Sequence, residues 1–543
     1  MKTRSIQTML RLLLSAAVVA VAASCLGNFD EYNRNPNETT DKELERDNYN
    51  VGAKLLQLQN EVIPSEEHLY QFTEILAGMA YGGYSEGTKP DWASGKFSTF
   101  NPPVNWMKAP FVDVMTDTYA PYRGIRQVAD DPVPLALADI LRVAIMHRVT
   151  DQYGPIPYSK VVENKEGLLT VPYDSQQEVY TKMFSELDAA VAVLEENRDL
   201  PAQAFGEYDQ VYGGDMKKWI LFANSLKLRM AMRLSYVDET TAKTKALEAI
   251  DGGVIMTNAD NAKFQPAVNR TAMCFSDWKD HVVSADLSSY MGGYNDPRRG
   301  KMFTLVVAEV MDPVTWESVK IDSLSGLRIG VTPLQKDEVI AKCSFPKMLD
   351  TDPILWMTAA EVAFLKAEYQ LRWGTMSEAG TLYKRGVELS FEQWNAGKAD
   401  TYLATEATPA DYINNYMSDI SIGVDIASMD FPARSTITPV WNDADDPETA
   451  LERIITQKWI AIFPLGNEAW AEYRRTGYPR LAPTPDECNK SGGTVTPKYG
   501  ARRLQYPTEE YAENRANVEA AAATISGGDN AGSRVWWDKK PLN

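Results

Sequence analysis

From about residue 43 onward, apolar residues recur at a 3.6-residue spacing in one segment after another, and alternation with period two is nearly absent. This pattern commits the chain to helices packed on helices, because each amphipathic stripe needs a partner to cover it. The spacing predicts helices over about 43–63, 68–80, 104–129, 134–152, 175–197, 215–235, 240–251, 356–373, 376–396, 447–463 and 508–523, punctuated by Gly and Pro. Strand-like alternation is confined to Lys301–Val310 and Leu327–Val331.

One segment is more specific. In Met357–Trp394 the small residues Ala367, Ala379 and Gly386 surround Tyr383 in the order small, small, aromatic, small of a tetratricopeptide unit, whose small side chains let two antiparallel helices approach closely. Gly374 ends the first helix, and Thr375 or Ser377 can cap the second. Leu135–Gln152 and Ser175–Asn197 form a second candidate pair around the loop Tyr153–Asp174. Asp446-Pro447-Glu448 opens a further helix, with the aspartate as cap and Leu451, Ile454, Ile455 and Trp459 on one face. No strict 34-residue repeat runs through the chain. The expected fold is therefore mainly α, a scaffold of tetratricopeptide-like helix pairs with long inserted loops and a few short strands, the loops carrying the site.

The N-terminus reads differently. Lys2, Arg4 and Arg11 precede the apolar run Leu12–Ala23 and then Ser24-Cys25. The run is too short to span a bilayer and fits a secretory signal over 1–24, leaving Cys25 as the first mature residue and the expected site of lipidation. Residues 25–41, polar and without periodicity, read as a flexible leash, and 42–543 as a single helical domain. The three signal cations leave with residues 1–24, taking the formal charge from −19 to −22. That sign excludes nucleic acid and anionic lipid as favoured partners. Cys274, Cys343 and Cys488 are odd in number and widely spaced, which predicts buried thiols rather than a disulfide framework or a zinc site.

Catalytic motifs are scarce. Gly83-Tyr84-Ser85-Glu86-Gly87 satisfies G-x-S-x-G, but a helical pattern precedes it and Pro90 follows soon after, so the strand-to-helix elbow is missing. The histidines are His68, His147 and His281; His147 lies inside a helix and reads as structural. Neither a zinc-hydrolase motif nor a phosphate-binding loop is found, and no cofactor is expected. A glycosidase needs only two carboxylates, so that alternative stays open among 74 acids. Asn442–Asp446 offers oxygens that could hold calcium, but it lacks the glycine and terminal glutamate of an EF-hand loop, and no metal is expected.

Two aromatic loops remain as candidate binding surfaces. Met79–Trp106 mixes Tyr81, Tyr84, Trp92 and Trp106 with Gly, Ser, Asn and Pro, and offers Lys89, Asp91, Asn101 and Asn105 for hydrogen bonds. Cys274–Arg299 adds Trp278, Tyr290 and Tyr294. Such rings stack on flat apolar ligand faces; the alternative is that they fold inward as core. Tyr81, Tyr84, Trp92, Asn101, Trp106, Trp278, Tyr290 and Tyr294 are the candidate ligand contacts.

Five segments together resemble the SusD/RagB family of outer-membrane nutrient-binding lipoproteins of Bacteroidetes, particularly its SusD-like branch: NFDEYNRNPN at 28–37, HRVTDQYGPIPYS at 147–159, WILFANSLKLRMAMRLS at 219–235, NDPR at 295–298 and TQKWIAIFPLGNEAWAEYRRTGY at 456–478. The resemblance implies four tetratricopeptide-like helix pairs, a lipid-anchored position on the outer-membrane surface and association with a SusC-like TonB-dependent barrel. It also implies a binding role rather than an enzymatic one, with an oligosaccharide as cargo and a peptide as the alternative. A surface glycosidase and a structural adhesin are the competing readings.

Overall fold

The computed structural model describes residues 49–164, 170–199, 206–311, 318–414, 417, 418, 423, 425 and 429–542. The expected signal, Cys25 and the leash lie outside the described residues. The chain divides into two compact units, Met1–Asn50 and Val51–Asn543.

The main helices are α1 (Tyr49–Val62), α2 (Glu67–Tyr70, continued by wider π turns over Gln71–Met79), α3 (Val114–Val128), α4 (Pro132–Tyr153), α5 (Gln176–Glu196), α6 (Met216–Arg233), α7 (Glu239–Asp251), α8 (Ala285–Gly293), α9 (Ala359–Trp373), α10 (Met376–Gln393), α11 (Pro447–Ala461) and α12 (Gly466–Thr476). Their starts are chemically specified. Ser175 and Glu178 form a reciprocal capping box on α5, Thr375 accepts from Glu378 N on α10, and Asp446 accepts from Glu448 N and Thr449 N on α11 with Pro447 as the first helical residue. Consecutive helices pack as pairs, α4 with α5, α6 with α7 and α9 with α10. In the last pair Ala367, Ala379 and Tyr383 are fully buried, and a Cβ added to Gly386 would lie 2.8 Å from the Phe364 ring, so close approach requires glycine there.

Three predicted elements differ in the structure. The 104–129 pattern is a short 3-10 turn at Val104–Trp106 and π turns at Ala109–Asp113 before α3 begins, because Pro110 breaks the α-helical ladder. The 508–523 pattern splits at Asn514 into Thr508–Glu513 and Arg515–Ala523. Leu327–Val331 is no strand and makes a single parallel bridge, Leu327 to Ser284, whereas Val306–Met311 does pair antiparallel with Ser318–Ser323.

A network of buried charges joins the helices at their centre. Arg229 on α6 forks onto Glu361 of α9, with both contacts at 2.7 Å. Arg475 on α12 does the same to Glu368 of α9 at 2.6 Å and also contacts Glu472. Arg233 of α6 reaches Glu468, Glu472 and Asp151, and Lys458 of α11 lies 3.3 Å from both Glu468 and Glu472. Burial alone would raise the Glu468 carboxyl, but Arg233, Lys458 and Arg229 outweigh it and hold it down at about 2. Five elements (α4, α6, α9, α11 and α12) are thereby fixed in one relative arrangement by groups that cannot be left unpaired.

Candidate functional site

Two three-residue strands determine where the aromatic loops meet. β1 (Ser85–Gly87) pairs antiparallel with β3 (His281–Val283) in the register Ser85 to Val283 and Gly87 to His281. Thr88 extends the contact, donating its N–H to Asp280 O and its hydroxyl to Lys279 O. The loop after β1 and the loop before β3 are therefore held side by side, although about 190 residues separate them. The base of the first loop is locked from below. Lys96 Nζ donates to Glu86 at 2.9 Å and to Val331 O at 2.7 Å, Gly330 N donates to the other Glu86 oxygen at 2.6 Å, and Lys96 and Glu86 are both buried. Gly87 carries no side chain because the Trp92 ring lies 2.6 Å from where its Cβ would be.

On this base Trp92, Trp106 and Trp278 converge with His68, Phe72 and Lys336 on an open cleft of about 470 Å³. Trp92 and Trp106 stand edge to face with centroids 5.3 Å apart, Phe72 supports Trp106 at 6.0 Å, and Trp278 leans on His68 at 4.9 Å. All three tryptophans are partly exposed. Lys336 donates to Asp280 at 2.7 Å and to Trp278 O at 2.9 Å, which fixes the Trp278 backbone, and Lys89 sits 6.0 Å over the Trp92 ring. Behind Trp92, burial pushes the His281 imidazole down to about 3; the neutral ring accepts a hydrogen bond from Gln71 Nε2 at 2.9 Å. The cleft thus offers rigid flat apolar faces with cationic and carboxylate groups at the edge, and its volume falls in the range of small-ligand sites.

Of the eight candidate contacts, only the three tryptophans lie here. Tyr81 is buried, donates its hydroxyl to Phe97 O at 2.8 Å and packs against Trp470. Tyr84 is wholly buried on Trp459 and bonds that residue's carbonyl. Tyr290 and Tyr294 are also core, with hydroxyls on Arg480 O and Ile437 O. Each phenol finds a backbone carbonyl inside the protein, which removes the cost of burying it. Asn101 closes its own loop, donating to Ser94 O and accepting from Thr99. These five are structural.

The remaining motifs resolve similarly. Ser85 is buried within β1, with no helix following it. His147 is buried with Nδ1 3.1 Å from Val143 O, and burial pushes its pKa down to about 3. Cys274, Cys343 and Cys488 are free and buried. In Asn442–Asp446 the side-chain oxygens are already engaged: Asp443 by Trp441, Asp445 by Arg453 and Asp446 by the α11 cap. Glu66, Glu67 and His68 bring ligand atoms within 4.8 Å of one another, but Arg270 forks onto Glu67, and Glu66 accepts from Leu69 N.

The SusD-like model, described as Susd and RagB outer membrane lipoprotein, matches residues 31–538. The chain belongs to the SusD-like family. Among solved structures, a SusD homolog from Bacteroides thetaiotaomicron is 44% identical with a TM-score of 0.81, over 91% of this chain and 100% of that one. A homolog from Bacteroides uniformis is 40% identical with a TM-score of 0.80, over 91% and 100%. A chitin-binding SusD homolog from Flavobacterium johnsoniae is 33% identical with a TM-score of 0.81, over 90% and 99%. A search of curated proteins gives no match.

In this SusD-like chain the segments that carry the family resemblance lie in the frame, not in the cleft. Glu468, Glu472 and Arg475 of the 456–478 segment, Arg229 and Arg233 of 219–235 and Asp151 of 147–159 are members of the buried charge network. Arg298 of the Asn295–Arg298 turn is likewise fully buried on Asp296 at 2.6 Å. His68, Phe72 and Lys336 are the cleft residues that sequence reasoning missed. His68 and Phe72 sat in a helical pattern, and Lys336 lies in a short helix with no aromatic neighbours in sequence. Among the described residues no helix is long and apolar enough to cross a membrane.

Proposed function

We propose that this SusD-like protein is a cell-surface capture protein, lipid-anchored at Cys25, that holds an oligosaccharide in the Trp92/Trp106/Trp278 cleft and passes it to a SusC-like TonB-dependent barrel. It binds without chemical turnover. The observation that carries this reading is the convergence of three partly exposed indoles, from three separate turns, on one preorganised cleft. Indole faces stack on the apolar faces of sugar rings, while Lys89, Asp280 and Lys336 stand where hydroxyls would need partners. The chitin-binding relative at 33% identity supports a glycan cargo. The leash over 25–41 and a single domain over 42–543 complete the proposal: a tether keeps the domain concentrated at the barrel without demanding tight binding.

The test is a binding panel on the mature protein, with chitin oligosaccharides, other glycans and peptides, each mixture then analysed for products. The expected result is saturable retention of an oligosaccharide, no product, and co-purification of a large barrel protein from detergent-solubilised outer membrane. Release of shortened sugars would establish a glycosidase instead, and binding confined to peptides would overturn the glycan cargo.

A further inference from the structure

A second basin, of about 500 Å³, opens where the chain leaves the C-terminus of α12. Its charge runs against that of the whole molecule. In a chain of formal charge −19, its lining holds six cations against the single carboxylate of Glu448. Three of these cations have carboxylate partners: Arg480 with Glu452, Arg502 with Asp538 and Lys540 with Glu448. The others, Arg434, Lys498 and Arg474, make no ion pair among the described residues. Arg434 and Lys498 are exposed, but Arg474 is only 1% exposed. Its guanidinium is sandwiched between Trp470 at 3.7 Å and Trp537 at 4.9 Å. Nη1 donates to the carbonyls of Asp151 and Arg502, whereas Nη2 is buried without a partner. Burial pushes the Arg474 pKa down to about 9, as expected for a guanidinium whose charge is incompletely compensated.

Flat rings accompany the charge. Tyr478 carries Arg480 at 5.2 Å and Lys540 at 4.5 Å, and Lys498 lies 5.1 Å over Tyr499. A concave basin with tyrosine faces, two exposed uncommitted cations and a buried one short of hydrogen-bond partners is built to take a small cyclic anion. We infer that this basin is a binding site for an anionic saccharide, a sugar unit bearing a carboxylate or a sulfate, separate from the tryptophan cleft.

The experiment is calorimetric titration of the full mature protein with trigalacturonate, with its fully methyl-esterified counterpart and with a sulfated chondroitin disaccharide. The acid and its ester differ in charge while keeping the same sugar backbone, and the sulfated probe distinguishes the two sources of charge. At least one anionic probe is expected to bind, the acid about tenfold or more tighter than the ester if carboxylate is the preferred group, with affinity falling as salt rises. The double variant Arg434→Ala/Lys498→Ala alters exposed side chains only, so it should fold normally and lose about tenfold or more in affinity for the anionic probe. The double variant Trp92→Ala/Trp278→Ala should leave that affinity unchanged, which separates this site from the capture cleft. Absence of binding by both anionic probes, equal binding of acid and ester with no sulfate binding, retained affinity in Arg434→Ala/Lys498→Ala, or loss in the tryptophan variant would each overturn the inference.

Discussion

Glu472 contacts three cations at once, Arg475 at 2.7 Å, Lys458 at 3.3 Å and Arg233, inside a core where none of them meets water. Glu472→Gln keeps the shape but removes the charge, and is expected to destabilise the fold by about 3–5 kcal/mol, read as a lower midpoint in urea unfolding followed by tryptophan fluorescence. The same core sets the response to acid. Glu468, held at about 2, and Glu472, held well below its ordinary value, contribute stability that is present above pH 4.5 and lost as pH falls toward their folded values. Neutral His147 and His281, both held at about 3, are protonated first on unfolding, so they also lose stability as pH drops below 6.5. Asp286 and Glu61, pushed up to about 7 by burial, work in the opposite sense until they are protonated in both states. The two sets offset each other at mildly acidic pH. The melting temperature is therefore expected to change little between about pH 5 and 7 and to fall steeply below about 4.5; a steep fall already beginning near pH 6 would contradict this balance.

Packing of α9 against α10 depends on Gly386. Gly386→Val would drive its side chain into the Phe364 ring, and overpacking should lower stability by about 1–3 kcal/mol, measurable by the same unfolding assay. This helix pair was legible in the sequence because the small residues and the 3.6 period record a local geometry. The caps at Ser175, Thr375 and Asp446 were legible for the same reason. β1 and β3 were not, since three-residue strands carry no period and exist only because distant segments meet. The aromatic loops were recognisable by composition, but the direction of each ring was not. Tyrosine can satisfy its hydroxyl on a backbone carbonyl and turn inward, as Tyr81, Tyr84, Tyr290 and Tyr294 do, and only tertiary structure shows where those carbonyls are.

Taken whole, the molecule separates rigidity from recognition. A helical frame pinned by buried ion pairs carries the segments by which the family is recognised, and loops laid over it carry the cleft. The acidic surface keeps the body away from anionic lipid, so in the proposed arrangement attachment falls to Cys25 and its leash. The central claim is that the three indoles, rather than the tyrosines of the same loops, hold the cargo. It is tested most directly by titrating an oligosaccharide that the native protein retains into Trp92→Ala, Trp278→Ala and Tyr290→Phe. The account predicts a loss of about tenfold or more in each tryptophan variant, with unchanged melting behaviour, and native affinity in Tyr290→Phe. Native affinity in both tryptophan variants, or a loss confined to Tyr290→Phe, would contradict it.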